Sequence, residues 1–149
     1  KGIGNGFPLG ACLTVEKVAA AMTPGSHGST YGSNPLAMAV GNAVLDVMLA
    51  DGFFAHVKQT GAILRAGLEK LAQQFPAVLT EVRGEGLMLG VQTKIPAVEM
   101  AERLRAGGLL TAPAEDSVLR IVPPLIIEKH HIEEALAIFT RCLQDVGVA

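Results

Sequence analysis

The sequence predicts an α/β chain in two parts, the end of a large sheet-containing domain followed by a small α+β domain. Three observations carry this. Apolar positions recur at helical spacing through Phe53–Gln74, and short apolar runs bounded by turn residues crowd into 78–122. The stretch before residue 52 is built differently, as a glycine-rich turn, a polar loop and one apolar helix. The boundary is set at Asp51-Gly52, so 1–52 is read as the end of the large domain with an interdomain helix, and 53–149 as the small domain. At 149 residues the chain can hold one good core, or a small domain plus the remnant of another.

The elements follow in order. Residues 1–10 (KGIGNGFPLG) put a lysine ahead of a glycine-rich turn. Residues 7–13 (FPLGACL), short and apolar, read as a buried strand of a larger sheet. Residues 15–22 read as a short helix with Thr14 as N-cap and Glu16 in its first turn. In 23–34 seven of twelve residues are Gly, Ser or Pro, a loop too long and polar to be a bare connector. Asn34 then caps a helix with Pro35 at its first position, running to about residue 50. That helix is apolar nearly all round and is expected to lie between layers.

Phe54, Val57, Gly61, Leu64, Leu68, Leu71 and Phe75 form one face of the next helix, while Lys58, Arg65, Glu69 and Lys70 point away from it. After Pro76 the order is β, β, α, β, β, α. Strands are expected at 78–83, 87–93, 109–111 and 118–122, with a helix at 96–106 between the pairs. A last helix at 130–146 should bury Ile132, Leu136, Phe139 and Leu143.

Composition narrows the function classes. Half the residues are hydrophobic, the formal charge is −2 and Trp is absent, which argues against nucleic acid, an anionic membrane surface or disorder. Cys12 and Cys142 are far apart with no CxxC, and read as free thiols of a reducing, cytoplasmic compartment. The apolar run 36–50 is interrupted by Gly41, Asn42 and Asp46, which makes it a buried helix and not a membrane span.

Four places could carry chemistry. The Lys1 amine could form an imine with a carbonyl cofactor if desolvation or nearby positive charge lowered its pKa; the plain alternative is a solvated first residue. His27-Gly28-Ser29-Thr30-Tyr31-Gly32-Ser33-Asn34-Pro35 sets hydroxyls and backbone donors ahead of a helix N-terminus, a place that favours phosphate. Its alternative is an ordinary Ser/Gly loop. Arg120 stands among Val118, Leu119, Ile121 and Val122, and a guanidinium offers a carboxylate two parallel donors. Alternation also allows it to face solvent, opposite Leu119 and Ile121. Arg83 and Glu85 in RGEGLMLG read as parts of a tight turn or bulge. His130 and Glu134 are one helical turn apart, yet two histidines at a helix start read as incidental and no metal is expected.

Taken together, KGIGNGFPLGA, HGSTYGSNPLA, RGEGLMLG and VLRIVPPL resemble, in order, the class III PLP-dependent ω-aminotransferases, and within them the acetylornithine group of arginine biosynthesis. The resemblance implies the C-terminal portion of a fold-type-I PLP-dependent transferase, with pyridoxal 5'-phosphate as cofactor. It implies that Lys1 binds the cofactor as an imine and shuttles the proton, and that Thr30 reaches the cofactor phosphate of the neighbouring subunit in a homodimer. Ser29 matches a position that contacts acetylornithine, and Arg120 the arginine that binds the carboxylate of glutamate or 2-oxoglutarate. The implied reaction moves the terminal amino group of N2-acetylornithine to 2-oxoglutarate. Ornithine, succinylornithine, succinyldiaminopimelate and 4-aminobutyrate aminotransferases share these motifs.

The pattern departs from the family at Ser33, where glycine is usual. The aspartate for the pyridinium nitrogen, the glycine-rich phosphate segment of the same subunit, the stacking aromatic and a second substrate arginine are not in these residues. The chain by itself is therefore expected to be inactive, and a non-catalytic domain is the reading from another class. Residues 1–50 are expected to expose apolar surface.

Overall fold

The computed structural model describes residues 2–146, and these fall into two compact units that part between Phe53 and Phe54. The first opens on consecutive turns. Asn5 N–H donates to Gly2 O at 3.0 Å and Phe7 N–H to Gly4 O at 2.9 Å. Gly4 is buried, with the Phe7 carbonyl where a side chain would begin. The glycine-rich run is thus the tight turn its composition implies.

Residues 7–13 do not form the expected strand. Among the described residues no strand lies in this unit to pair with them, and an unpaired strand leaves its amide groups without partners. Helix α1 is only Glu16–Ala19, with Val15 and not Thr14 at its N-cap and no side-chain cap bond. Helix α2 (Pro35–Met48) starts as the sequence dictates: Asn34 Oδ1 accepts the Ala37 N–H at 2.9 Å, and Pro35 sits where no amide donor is needed. Leu9 packs on its Gly41. Within the chain α2 buries only Ala37 and Gly41, and Leu36 stays 63% exposed. An all-round apolar helix needs cover on both sides, and these residues supply it on one.

The second unit is an α+β layer. Helix α3 (Phe53–Gln74) turns Thr60, Gly61, Leu64, Leu68 and Leu71 inward, the stripe set by its three- and four-residue spacing. Strands β1 (Leu79–Glu85) and β2 (Met88–Thr93) form a hairpin, followed by α4 (Ala97–Ala106), β3 (Ala112–Ala114), β4 (Val118–Ile121) and α5 (Lys129–Val146). The sheet is antiparallel throughout, in the order β1-β2-β4-β3. Leu89, Val91 and Leu119 on one face join Leu64 and Leu68 of α3, Met100 and Leu104 of α4, and Ile132, Phe139 and Leu143 of α5 in one core. The opposite face carries Glu81, Arg83, Met88 and Arg120, all exposed.

The third strand lies later than the expected 109–111. Leu109 N–H is spent on Leu104 O at 2.8 Å, finishing α4 through a left-handed Gly108, so pairing can begin only at Ala112. The RGEGLMLG segment is the expected tight turn. Glu85 pairs with Met88 across a two-residue loop whose first position, Gly86, has φ +55°, a place that hairpin turns reserve for glycine. Its tip rests on α3, where a Cβ on Gly61 would stand 2.7 Å from the Gly86 carbonyl carbon and oxygen. Arg65 ties the two together, donating to the Val82 carbonyl at 3.4 Å and to the Gly84 carbonyl.

Candidate active site

Lys1, the expected cofactor lysine, lies outside the described residues. The polar loop belongs to the first unit and Arg120 to the second, and each is built by its own unit.

In the loop, Ser29 and Thr30 are adjacent and exposed. Gly32 N–H donates to Ser29 O at 3.2 Å, and Asn34 donates to Tyr31 O twice, from its backbone at 3.3 Å and from Nδ2 at 2.8 Å. These bonds fold 29–34 into turns that lead into α2. The polarity of the backbone explains the placement: the loop ends where the first N–H groups of α2 begin, of which Asn34 takes two, that of Ala37 through Oδ1 at 2.9 Å and that of Met38 through its carbonyl oxygen at 3.1 Å. Among the described residues neither the Ser29 nor the Thr30 hydroxyl has a hydrogen-bond partner. Two unspent hydroxyls before a helix N-terminus form a donor set suited to an oxyanion. Ser33 adopts φ +56°, the left-handed region that glycine occupies without strain. The departure from the family pattern thus falls on a position whose backbone asks for glycine.

Arg120 lies on β4, an interior strand of the sheet, and its side chain is exposed on the face away from the helices. Its cross-strand partners are Gly90 on β2 and Ala112 on β3. Arg83 occupies the same row one strand further on, opposite Gly90. The two arginines differ in company. Arg83 has Glu81 and Glu115 each at 3.7 Å, whereas among the described residues no carboxylate lies within ion-pair distance of Arg120. Of these two, Arg120 is the one with its donors available to an outside anion.

Beside Arg120 is a cavity of about 510 Å³, lined by Thr111, Ala112, Ile121, Pro124, His131 and Ile132 among others. Its wall is mostly apolar, with the buried Thr111 hydroxyl oxygen lacking a hydrogen-bond partner among the described residues. The segment 122–127 that borders it is pinned by His56, whose Nε2–H donates to Ile127 O at 2.8 Å. The sequence reading passed over both His56 and Thr111. Neither stands in a motif, and a partner 71 positions away leaves no local signal.

The histidines at the start of α5 have local roles. His131 Nδ1 accepts the Glu128 N–H at 3.1 Å, and His130 Nδ1 lies 3.3 Å from Glu128. Among the described residues no three His, Cys, Asp or Glu side chains are grouped to hold a metal ion. Cys142 is buried under α4, its sulfur 3.8 Å from that of Met100. Burial pushes its thiol above the ordinary range, with Arg103 pulling down and Asp145 adding to the rise. Cys12 is exposed.

Residues 1–143 match the family described as aminotransferase class-III. The chain is 53% identical over 137 residues to the acetylornithine aminotransferase of Agrobacterium fabrum, covering 92% of this chain and 34% of that protein. The crystal structure of acetylornithine aminotransferase from Elizabethkingia anophelis is similar with a TM-score of 0.77 at 30% identity, over 86% of this chain and 33% of that one. Ornithine δ-aminotransferase of Plasmodium falciparum is similar with a TM-score of 0.79, also at 30% identity, over 89% of this chain and 34% of that one. The chain thus spans about a third of the length of the proteins it matches.

Proposed function

The chain belongs to the class-III aminotransferases, and from that premise we propose that it is part of a transaminase that moves the terminal amino group of N2-acetylornithine to 2-oxoglutarate, a step of arginine biosynthesis. The observation that carries the reading is the 53% identity to an acetylornithine aminotransferase. Structural likeness favours ornithine as a second donor, since the ornithine enzyme of Plasmodium falciparum matches at a TM-score of 0.79. Similar backbones are common to enzymes with different donors, so the sequence identity carries more weight.

The donor set fits the cofactor this reading requires, pyridoxal 5'-phosphate. The unspent Thr30 hydroxyl would hold its phosphate from the neighbouring subunit of a homodimer, with the N-terminus of α2 adding favourable dipole. When bound, the cofactor serves as the electron sink for the reacting carbon. Lys1 would hold the cofactor covalently through Nζ and move the proton. Ser29 would touch the acetylornithine substrate. Arg120 would orient glutamate or 2-oxoglutarate by paired N–H donors to a carboxylate, a geometry lysine does not reproduce. Residues 1–52 would belong to the large cofactor-binding domain and 53–149 to the small domain. The enzyme would work in the cytoplasm; among the described residues no single helix is long and apolar enough to cross a membrane.

The test is a comparison of initial rates on the full-length protein that carries this chain, with N2-acetylornithine, ornithine and 4-aminobutyrate as amino donors. The expected order puts acetylornithine first. A clear preference for ornithine or 4-aminobutyrate would refute the assignment.

A further inference from the structure

The connector between β4 and α5 is tied to α3 by a side chain distant in sequence. Strand pairing ends at Ile121, and Pro123 and Pro124, lacking N–H groups, cannot donate to a further ladder. Beyond them Ile127 N–H donates to Pro124 O at 3.2 Å and closes a turn, and the Ile127 carbonyl accepts from His56 Nε2 at 2.8 Å. A carbonyl oxygen only accepts, so Nε2 carries the ring proton. The turn of α3 that presents the imidazole is itself secured, since the buried Thr60 hydroxyl donates back to His56 O at 2.8 Å.

The two prolines carry this tie back toward β4. Each fixes its own φ and holds the residue before it extended, so residues 122–124 form a stiff link from the end of β4 to the pinned turn. Val122, Pro123, Pro124 and Ile127 line the same cavity as Arg120. We propose that His56 is a positioning residue, which through the Ile127 carbonyl sets this wall at a fixed place beside the Arg120 guanidinium and so aligns the carboxylate of the dicarboxylic substrate. The inference rests on the reading of Arg120 as the carboxylate-binding residue. His56 acts through the connector, and its effect falls on the fit of substrate to Arg120.

The experiment uses the full-length enzyme. It compares His56→Leu, which removes the donor, with His56→Gln, which keeps an N–H donor, each alone and combined with Arg120→Gln. We expect His56→Leu to raise the KM for 2-oxoglutarate about three- to tenfold, the range that one hydrogen bond supplies, with kcat little changed. His56→Gln should stay close to the parent. On the Arg120→Gln background His56→Leu should add nothing to KM, because both changes act on one carboxylate. Hydrogen exchange at the amides of 125–128 should quicken in His56→Leu and not in His56→Gln, which reads the tie without reference to activity. Unchanged exchange in His56→Leu, equal KM rises in the Leu and Gln variants, or a KM rise that persists on the Arg120→Gln background would overturn this inference. So would a parent-like KM in His56→Leu where Arg120→Gln alone raises KM, and the role of Arg120 would then stand. No change in KM with Arg120→Gln would overturn both.

Discussion

Helix α3 offers a controlled perturbation, because Gly61 and Gly67 stand six positions apart on it and differ in what surrounds them. Replacing glycine by alanine inside a helix is worth about 0.5–1 kcal/mol in favour of alanine. At Gly67 the new methyl would meet Leu136, whose Cδ1 is the nearest atom and whose Cδ2 lies at 3.0 Å. That is the far end of a flexible side chain, and turning it aside costs about 0.5–1.5 kcal/mol. Gain and loss roughly cancel. At Gly61 the methyl would stand 2.7 Å from Gly86 C and O and 3.0 Å from its Cα. These are backbone atoms of the hairpin tip, and the tip is held by left-handed Gly86 and by the Arg65 bonds to β1. Overpacking against such a wall costs about 1–3 kcal/mol, more than the helix gains. Gly61→Ala should therefore lose about 1–2 kcal/mol, while Gly67→Ala stays within about 1 kcal/mol of the parent. Urea unfolding followed by far-UV circular dichroism measures both. A Gly61→Ala chain as stable as the parent, or less harmed than Gly67→Ala, would refute the claim that the hairpin backbone sits rigidly on α3.

Two further outcomes follow from particular residues. Ser33→Gly should stabilise the turn before α2 by up to about 1 kcal/mol, since relief of the left-handed backbone outweighs the extra freedom of the unfolded chain; hydrogen exchange at the first amides of α2 would slow, and faster exchange would contradict it. Cys142 predicts an alkaline weakness. Its folded pKa lies above the ordinary 9.0, so its stabilising contribution is complete below that value and is lost as pH climbs from there through the raised one. Denaturation midpoints measured on both sides of this window should fall less steeply in Cys142→Ala than in the parent; identical slopes would mean that burial does not hold the thiol protonated.

Much of the second unit was legible before any coordinates. The α3 stripe from Val57 to Leu71, the hairpin at Gly86 and the Ile132, Phe139 and Leu143 face of α5 are local periodicities and turn residues, and local patterns survive folding unchanged. The first unit was read less well. Residues 7–13 have strand composition but no strand beside them, and strand formation depends on a partner that composition cannot supply. The third strand slipped to Ala112 because the amide of Leu109 closes α4, a choice between two hydrogen bonds.

The sequence by itself determined the ordered motifs, the family they belong to, the Asn34-Pro35 helix start and the residue types available for chemistry. Residue types and near-neighbour spacing are local properties, open to inspection one window at a time. Only the tertiary structure decided which of two arginines on one sheet face has carboxylates beside it among the described residues, that Ser33 stands where the backbone turns left-handed, and that a side chain at Gly61 would meet the backbone of Gly86. Those are outcomes of register and close approach between segments distant in sequence, and register is set by how strands pair and helices pack.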